Sequence, residues 1–286
     1  MDAVATLRRF NRTYTQRIGV LEESFLGTGR PLGVSRLLFE IGAAEGGIGV
    51  GDLRDRLDLD AGYLSRLLRR LEDDGLARVV PDRADGRRRV VRATAAGREA
   101  FADLEQRSAD LAERLVAPLT ERQRARLTDA LATADLLVRA ATVRLRPIDP
   151  TAPAAREAVR RYVAELDARF SGGFAPGDDA AEPGAVYVVA TSDGRPVAYG
   201  GVRPAGEETA EIKRMWVGDA WRGAGLGSRM LRHLEELARQ QGHRRVVLDT
   251  HRSLTEAIAL YERAGYAPVE RYNDNPYAQA FFAKEL

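Results

Sequence analysis

At 286 residues, with 44% hydrophobic and 30% charged side chains, the chain is longer than one typical domain and holds enough apolar material for two cores. It has no cysteine, which excludes disulfides, thiolate metal sites and a cysteine nucleophile, and its three histidines (His233, His243, His251) are too few for a convincing metal centre. A net charge of +2 argues neither for nor against a nucleic-acid partner, so that case rests on local charge. No apolar signal region opens the sequence and no apolar run is long enough to span a bilayer, so no membrane partner and a cytoplasmic location are expected.

In chain order, Val4, Leu7, Tyr14, Ile18, Leu21 and Phe25 recur at heptad-like spacing, which predicts one long helix over residues 3–26 packed against other helices. Helices are expected over 33–43, 50–57 and 61–74, then two short strands over 77–81 and 89–93 joined by the charged loop 82–88. A helix over 94–117 follows. Thr120 and Gln123 read as a capping box opening another, to about residue 141. From 143 onward strands and helices alternate: strands near VYVVAT, RPVAYGGVRP, AEIKRMWV and RVVLDT, with helices over 154–170, from Gly227, and over 255–264. Residues 171–184 form a loop rich in Gly, Pro and Asp. The pattern predicts two domains divided at residues 142/143, the first mainly α with one hairpin, the second α/β.

In the helix over 61–74, Leu64, Leu67, Leu68 and Leu71 make a buried stripe, which leaves Tyr63, Arg66, Arg69 and Arg70 on or near the outward face. Behind it, the hairpin carries arginines 78, 83, 87, 88, 89 and 92 against aspartates 82 and 85. An arginine-tipped hairpin beside such a helix suits contact with a DNA backbone or minor groove. Taken alone, the same spacing and arginines also fit a chance helix pair with a solvated face. The order of elements, with Ser65-Arg66 before LEDDGL, Asp82-Arg83 with Arg87-Arg88, and Ala93-Thr94-Ala95-Ala96-Gly97, resembles the MarR family of winged helix-turn-helix regulators over residues 1–142. The resemblance implies double-stranded DNA as a partner, contacts from Tyr63, Ser65, Arg66, Arg83 and Arg87, an Asp82–Arg88 brace in the wing, and a homodimer formed by the terminal helices.

The sharpest motif follows the strand AEIKRMWV. Arg222-Gly223-Ala224-Gly225-Leu226-Gly227 leads into a helix with apolar residues at Met230, Leu231, Leu234, Leu237 and Ala238. Glycines let backbone approach a diphosphate, and a helix N-terminus presents free N–H groups, so the loop is built to hold an anion. Its spacing is neither that of a dinucleotide-binding fingerprint nor that of a Walker A loop. R-x-x-G-x-G between strand and helix resembles the Gcn5-related N-acetyltransferase (GNAT) superfamily, and Ala257-x-x-Leu260-Tyr261-x-x-x-Gly265-Tyr266 resembles a second signature of the same superfamily. The chain departs from many relatives in reading Thr250-His251-Arg252-Ser253 where they carry an asparagine.

The resemblance covers about residues 143–286 and implies a GNAT fold with a mixed sheet that binds acetyl-CoA as co-substrate, without metal. It places Met215, Trp216, Val217, Arg222, Gly223, Ala224, Gly225, Leu226, Gly227 and Ser228 at the cofactor, and Tyr261 as the acid that protonates the departing thiolate. Tyr261 also lies on the apolar stripe of Ile258 and is read equally as core packing. Glu211 is the candidate base. Lys213 shares its strand face, and an ordinary surface ion pair is the competing reading. Lys213 and Tyr277 are candidate contacts for the acceptor, a small amine or amino acid. The sequence therefore predicts a regulator fused to an N-acetyltransferase. Two alternatives stay open: an enzyme whose winged helix only dimerises, and a regulator whose second domain senses acetyl-CoA without turnover.

Overall fold

The computed structural model describes residues 2–20, 22–82, 85–175 and 183–286. It divides into two compact units, Met1–Leu127 and Thr128–Leu286.

The first unit opens with α1 (Ala3–Arg17), capped by Asp2, whose carboxylate accepts from the N–H groups of Val4 (3.1 Å) and Ala5 (3.3 Å). The helix anticipated to residue 26 ends at Arg17. Gly19 takes φ +67°, Val20 N–H donates to Thr15 O (3.2 Å) and Gly19 N–H to Gln16 O (3.4 Å), which is a Schellman stop. A single 3₁₀ turn, Phe25–Gly27, follows. Leu21, from the expected stripe, lies outside the described residues. The stripe on α1 is not covered within the chain: Val4 is 63% exposed and Leu7 57%, and Phe10 stacks on Tyr14 with ring centres 5.6 Å apart.

Helices α2 (Leu32–Gly42), α3 (Val50–Leu57) and α4 (Ala61–Asp73) share a core in which Leu37, Leu38, Ile41, Leu53, Leu64 and Leu71 are fully enclosed. Three antiparallel strands complete it: β1 (Ile48–Gly49), β2 (Ala77–Pro81) and β3 (Arg89–Ala93), in the order β1-β3-β2. The two-residue β1 was not anticipated, being too short to leave a period in the sequence. Thr94 then caps α5 (Ala95–Val116): its Oγ1 accepts from Gly97 N–H (3.0 Å) and donates to Gly75 O (2.7 Å). A Cβ at Gly97 would lie 1.9 Å from Leu76 O, so only glycine lets this helix sit on the hairpin. Next, α6 (Glu121–Thr142) opens with the expected box, Thr120 N–H donating to Gln123 Oε1 (2.9 Å) and Gln123 N–H to Thr120 Oγ1 (3.4 Å).

The division between the units falls inside α6, which belongs to the second from Thr128 on, and its last turn is tied into that unit's core. There Ala140 is fully buried, Arg139 donates to Ser192 Oγ (2.8 Å) and Asp193 (2.7 Å), and Arg229 donates to the carbonyls of Ala140 and Val143.

The second unit is a seven-stranded mixed sheet: β4 (Leu145–Ile148), β5 (Val186–Ser192), β6 (Arg195–Pro204), β7 (Thr209–Val217), β8 (Arg245–Thr250), β9 (Ala267–Pro268) and β10 (Ala280–Glu285), in the order β4-β5-β6-β7-β8-β10-β9. Successive side chains serve opposite faces. Val188, Ala198, Ala210 and Ile212 pack on α8 (Leu226–Gln240), whereas Tyr187, Val189, Tyr199 and Trp216 pack on α7 (Pro153–Arg169). β7 and β8 are the parallel pair, and their register runs only from Thr209↔Arg245 to Glu211↔Val247. Beyond Glu211 the strands diverge. The register of β7 against β6 also shifts between Tyr199 and Gly201, and Arg214 on β7 takes φ +52°. Together these features open a cleft at the middle of the sheet, closed at one end by α9 (Thr255–Arg263).

Candidate functional site

The cleft has two chambers. One, of about 620 Å³, is lined by Met215, Trp216 and Val217 from β7, by Arg222, Gly223, Gly225, Gly227 and Ser228 from the glycine loop, and by Leu260 and Tyr261 from α9. Gly225 is the N-cap of α8 at φ 83°, ψ 0°, a left-handed conformation that an L side chain adopts only with strain. No heavy atom lies within 4 Å of a Cβ built on Gly223 or Gly225, so the space over the loop is open. The first N–H groups of α8 have no partner inside the helix, and Gly227 and Ser228 of that turn line this chamber, which makes it a ready site for an anion. Ala224 and Leu226 do not line it. Leu226 is fully buried and anchors the loop to the core.

Arg222 also borders the chamber, but its guanidinium is engaged by protein. It donates from Nε to Val217 O (3.2 Å) and pairs with Asp219 (2.5 Å) and with Glu165. Glu165 of α7 also accepts from Trp216 Nε1 (3.0 Å) and pairs with Arg169 (3.3 Å). One carboxylate thus ties α7, β7 and the loop together. Sequence periodicity had no means of finding Glu165, because its partners lie 51 and 57 residues away.

The second chamber, about 450 Å³, is lined by Lys213, Arg214, Asp249, His251, Asn275 and Tyr277 among others, with an apolar wall that includes Phe170 and Phe174. Tyr162, Leu166, Met215, Leu254, Ala257 and Tyr261 line both chambers, so the junction lies at these side chains. Tyr261 is only 5% exposed, and burial pushes its hydroxyl well above the ordinary tyrosine range, with the Tyr162 hydroxyl and Asp249 adding to the shift. Burial likewise pushes Tyr162 up to about 12. Both phenols are therefore protonated at neutral pH. The ring of Tyr261 packs against Phe282 (6.0 Å) and Tyr266 (5.9 Å), so core packing and a cleft-facing position hold together.

Glu211 lines neither chamber. It sits at the last residue paired with β8, before the strands diverge, and is 1% exposed. Its carboxylate accepts from Arg203 Nε (2.7 Å), directly across on β6, from Tyr272 Oη (3.1 Å) and from Asn273 Nδ2 (3.2 Å), with Lys213 Nζ at 3.8 Å. The anticipated Glu211–Lys213 pairing is present, but as a member of a buried network rather than at the surface. Asn273 Nδ2 also donates to Asp249 Oδ2 (2.5 Å), and Asn275 Nδ2 to Asp249 Oδ1 (3.2 Å). The carboxylate that faces the second chamber is therefore Asp249, with Glu211 behind it. Tyr277 Oη accepts from Ala175 N–H (3.0 Å). At the departure from the usual asparagine, His251 Nδ1 accepts from Ser253 N–H (3.1 Å) and closes the turn before α9.

In the first unit, Tyr63, Ser65 and Arg66 are exposed on α4, Arg66 resting on the Tyr63 ring at 5.6 Å. Asp60 caps that helix by accepting from Tyr63 N–H (2.8 Å). Arg87 is exposed at the hairpin turn, its N–H bonded to Asp85 (3.0 Å). Arg83 lies outside the described residues. In the wing, Asp82 N–H donates to Arg88 O (2.9 Å), and the Arg88 guanidinium reaches Asp52 (3.6 Å).

Residues 149–266 match the Acetyltransferase (GNAT) family and residues 28–88 the MarR family. The chain is 31% identical over 143 residues to an IAA acetyltransferase of Azospirillum brasilense, covering 46% of this chain and 92% of the relative. It is 37% identical over 92 residues to the uncharacterized N-acetyltransferase YjgM of Escherichia coli K12, covering 31% of this chain and about half (55%) of that relative's length. A MarR-family transcriptional regulator from Rhodococcus sp. RHA1 aligns over 47% of this chain and 95% of its own, at 18% identity and a TM-score of 0.39. No helix among the described residues is long and apolar enough to cross a membrane.

Proposed function

We propose a function from one premise: the chain belongs to the GNAT family of acetyltransferases and carries a MarR-family segment ahead of that domain. On this reading the protein is a homodimeric DNA-binding regulator and an acetyl-CoA-dependent N-acetyltransferase, with the functional division at residues 142/143. Its acceptor is a small amine or amino acid. The observation that carries the enzyme half is the meeting of two chambers at Tyr261 and Met215.

In the larger chamber, the α8 N-terminus and the loop from Gly223 to Ser228 would hold the diphosphate of coenzyme A. When bound, acetyl-CoA supplies an acyl group on a thiol that can leave. Beyond Glu211 one edge of β7 has lost its β8 partner, which supports a role for backbone groups of Met215–Val217 in holding and polarising the thioester carbonyl. The acceptor, in the smaller chamber, loses one proton to become a neutral amine. Its nitrogen bonds to the carbonyl carbon and the carbon–sulfur bond breaks. Tyr261 gives its proton to the sulfur and is restored by the remaining extra proton that leaves nitrogen, relayed through water, so the one net proton released is the ammonium's first. Glu211 acts through Asn273 by holding Asp249 in place. It is a positioning residue in this scheme, where the sequence had offered it as the candidate base.

In the first unit, the exposed Tyr63, Ser65 and Arg66 of α4 would enter a major groove while Arg87, with Arg83, meets the backbone or minor groove. The uncovered apolar face of α1 supports pairing with a second copy.

The direct test measures thiol release from acetyl-CoA across a panel of amines and amino acids. Release with at least one acceptor is expected. Binding of acetyl-CoA without release for any acceptor would leave a sensor. In parallel, gel shifts at low salt should show duplex binding, and their failure would reduce the winged helix to a scaffold.

A further inference from the structure

Transfer to an amine needs a group to take the ammonium's first proton, and the smaller chamber offers few. Among the described residues that line it, Lys213 is paired with Glu211 (3.8 Å), and a guanidinium such as that of Arg214 has no lone pair to give. Tyr162 and Tyr261 hold their own protons, and the Tyr277 oxygen already accepts from Ala175 N–H (3.0 Å). His251 is excluded by its turn. Its Nδ1 accepts from Ser253 N–H (3.1 Å) and stands 2.8 Å from Ser253 Oγ. In the neutral ring the proton therefore sits on Nε2, and the basic lone pair is spent on the turn. Asp249 is the one carboxylate on the lining.

Strand geometry puts it there. Val246 and Leu248 of β8 are buried in the core shared with α8. By alternation Val247 and Asp249 turn to the other face of the sheet, where α7 supplies Tyr162 and Leu166 to the chamber. Val247 is still paired with Glu211 on β7. Two residues on, Asp249 keeps its β10 neighbour, Phe281, but stands past the end of the β7 pairing, on the β8 lip of the cleft. Each of its oxygens is held by one amide, Oδ2 by Asn273 Nδ2 (2.5 Å) and Oδ1 by Asn275 Nδ2 (3.2 Å). A carboxylate offers about four acceptor sites, so both oxygens keep capacity for a ligand while the amides fix their position.

Resting on the transferase reading above, we propose that Asp249 is the catalytic base: its carboxylate binds the acceptor's ammonium and takes the first proton. The neutral nitrogen then bonds to the thioester carbonyl carbon, the carbon–sulfur bond breaks and Tyr261 protonates the sulfur. Asp249 returns its proton to water before the next turnover, which accounts for the one proton released overall. Glu211 reaches this point only through Asn273 and does not meet the acceptor.

Two acceptors test the assignment on the full chain. Phenethylamine is an ammonium at neutral pH, and its flat apolar group suits the wall of Phe170, Phe174 and Tyr277, whose ring centres lie 4.7 to 6.1 Å apart. Its analogue 2,2-difluoro-2-phenylethylamine has nearly the same shape, but the fluorines leave its amine largely neutral at mildly alkaline pH. Single-turnover thiol release from acetyl-CoA is measured with each. Asp249→Asn should slow phenethylamine about 10²-fold or more and the difluoro amine less than about tenfold, because only the first must give up a proton. Asp249→Ala, which sets no misplaced amide against Asn273 and Asn275, should show the same split, and formate should restore part of its phenethylamine rate. Equal losses with both amines, or no loss, would overturn the assignment. Calorimetry of phenethylamine on the coenzyme A-loaded chain separates this from the underlying reading. Binding that Asp249→Asn weakens about tenfold or more, without thiol release from the unaltered chain, would sink the transferase reading and leave Asp249 as an ammonium site. Binding that the substitution spares, or no binding at all, would overturn the role of Asp249.

Discussion

Along and behind the cleft of the second unit, charged side chains are held by named partners: Glu165, in the cleft wall, joins Trp216, Arg222 and Arg169, and Glu211, behind it, joins Arg203, Tyr272 and Asn273. On the face of the first unit proposed to meet DNA, Ser65, Arg66, Arg69, Arg70 and Arg87 stand exposed to solvent. The contrast matches what each region is proposed to do. Acyl transfer needs groups fixed to within a fraction of an ångström, so buried networks are worth their desolvation cost. A polyanion is met by counterion release, which long, solvated arginines deliver without fixed geometry.

The sharpest way to break this contrast is at the glycine cradle. Gly225→Val forces a β-branched residue into φ 83° and fills open space above the loop, its Cβ meeting no protein heavy atom within 4 Å. It should abolish measurable acetyl-CoA binding and leave the fold of the first unit unchanged by circular dichroism and duplex binding. Gly227→Ala is the milder partner, because its methyl would sit in ordinary contact 3.4 Å from Leu260. Unaltered acetyl-CoA affinity in both would remove the anion cradle from the account.

Substitutions on the reading face should be smaller and of a different kind. Arg66→Ala should erase preference for one operator sequence at about 1–3 kcal/mol while sparing non-specific affinity. Arg87→Ala should weaken all duplexes alike and reduce the slope of log K against log salt by about one unit. Equal effects of Arg66→Ala on specific and random duplexes would show that it touches phosphate only.

The smallest effect is on stability. Tyr162, Tyr261, Tyr266 and Tyr272 are all pushed up by burial, Tyr162 to about 12. Their unfolded forms ionise near 10, so between there and about 12 the unfolded chain carries fewer protons than the folded one, and stability falls as pH rises. Melting temperatures should decline across that window, and Tyr162→Phe should make the decline shallower. A flat profile from about pH 9 to 11 would contradict the burial of these phenols.

Much of this was legible beforehand. The bounds of α3, β2 and β3 follow from local apolar periods and turn chemistry, and the glycine loop from composition alone. The end of α1 was signalled by Gly19 and overridden by a heptad reading that ran through it. Asp249 and Glu165 were not legible, because their meaning comes from partners in other elements. Alternation rightly put Glu211 with Lys213, but no local pattern reveals that β7 and β8 diverge immediately after it, leaving Glu211 in the closed sheet.

The central claim is that Tyr261, at the junction of the chambers, delivers the proton that lets the thiol leave. Single-turnover rates of thiol release, measured beside acetyl-CoA affinity in Tyr261→Phe, test it most directly. The account predicts a rate about 10²-fold lower or more with affinity little changed, because the ring's packing on Phe282 survives while its proton is lost. An undiminished rate would return Tyr261 to the core and leave the chemistry of the cleft to other residues.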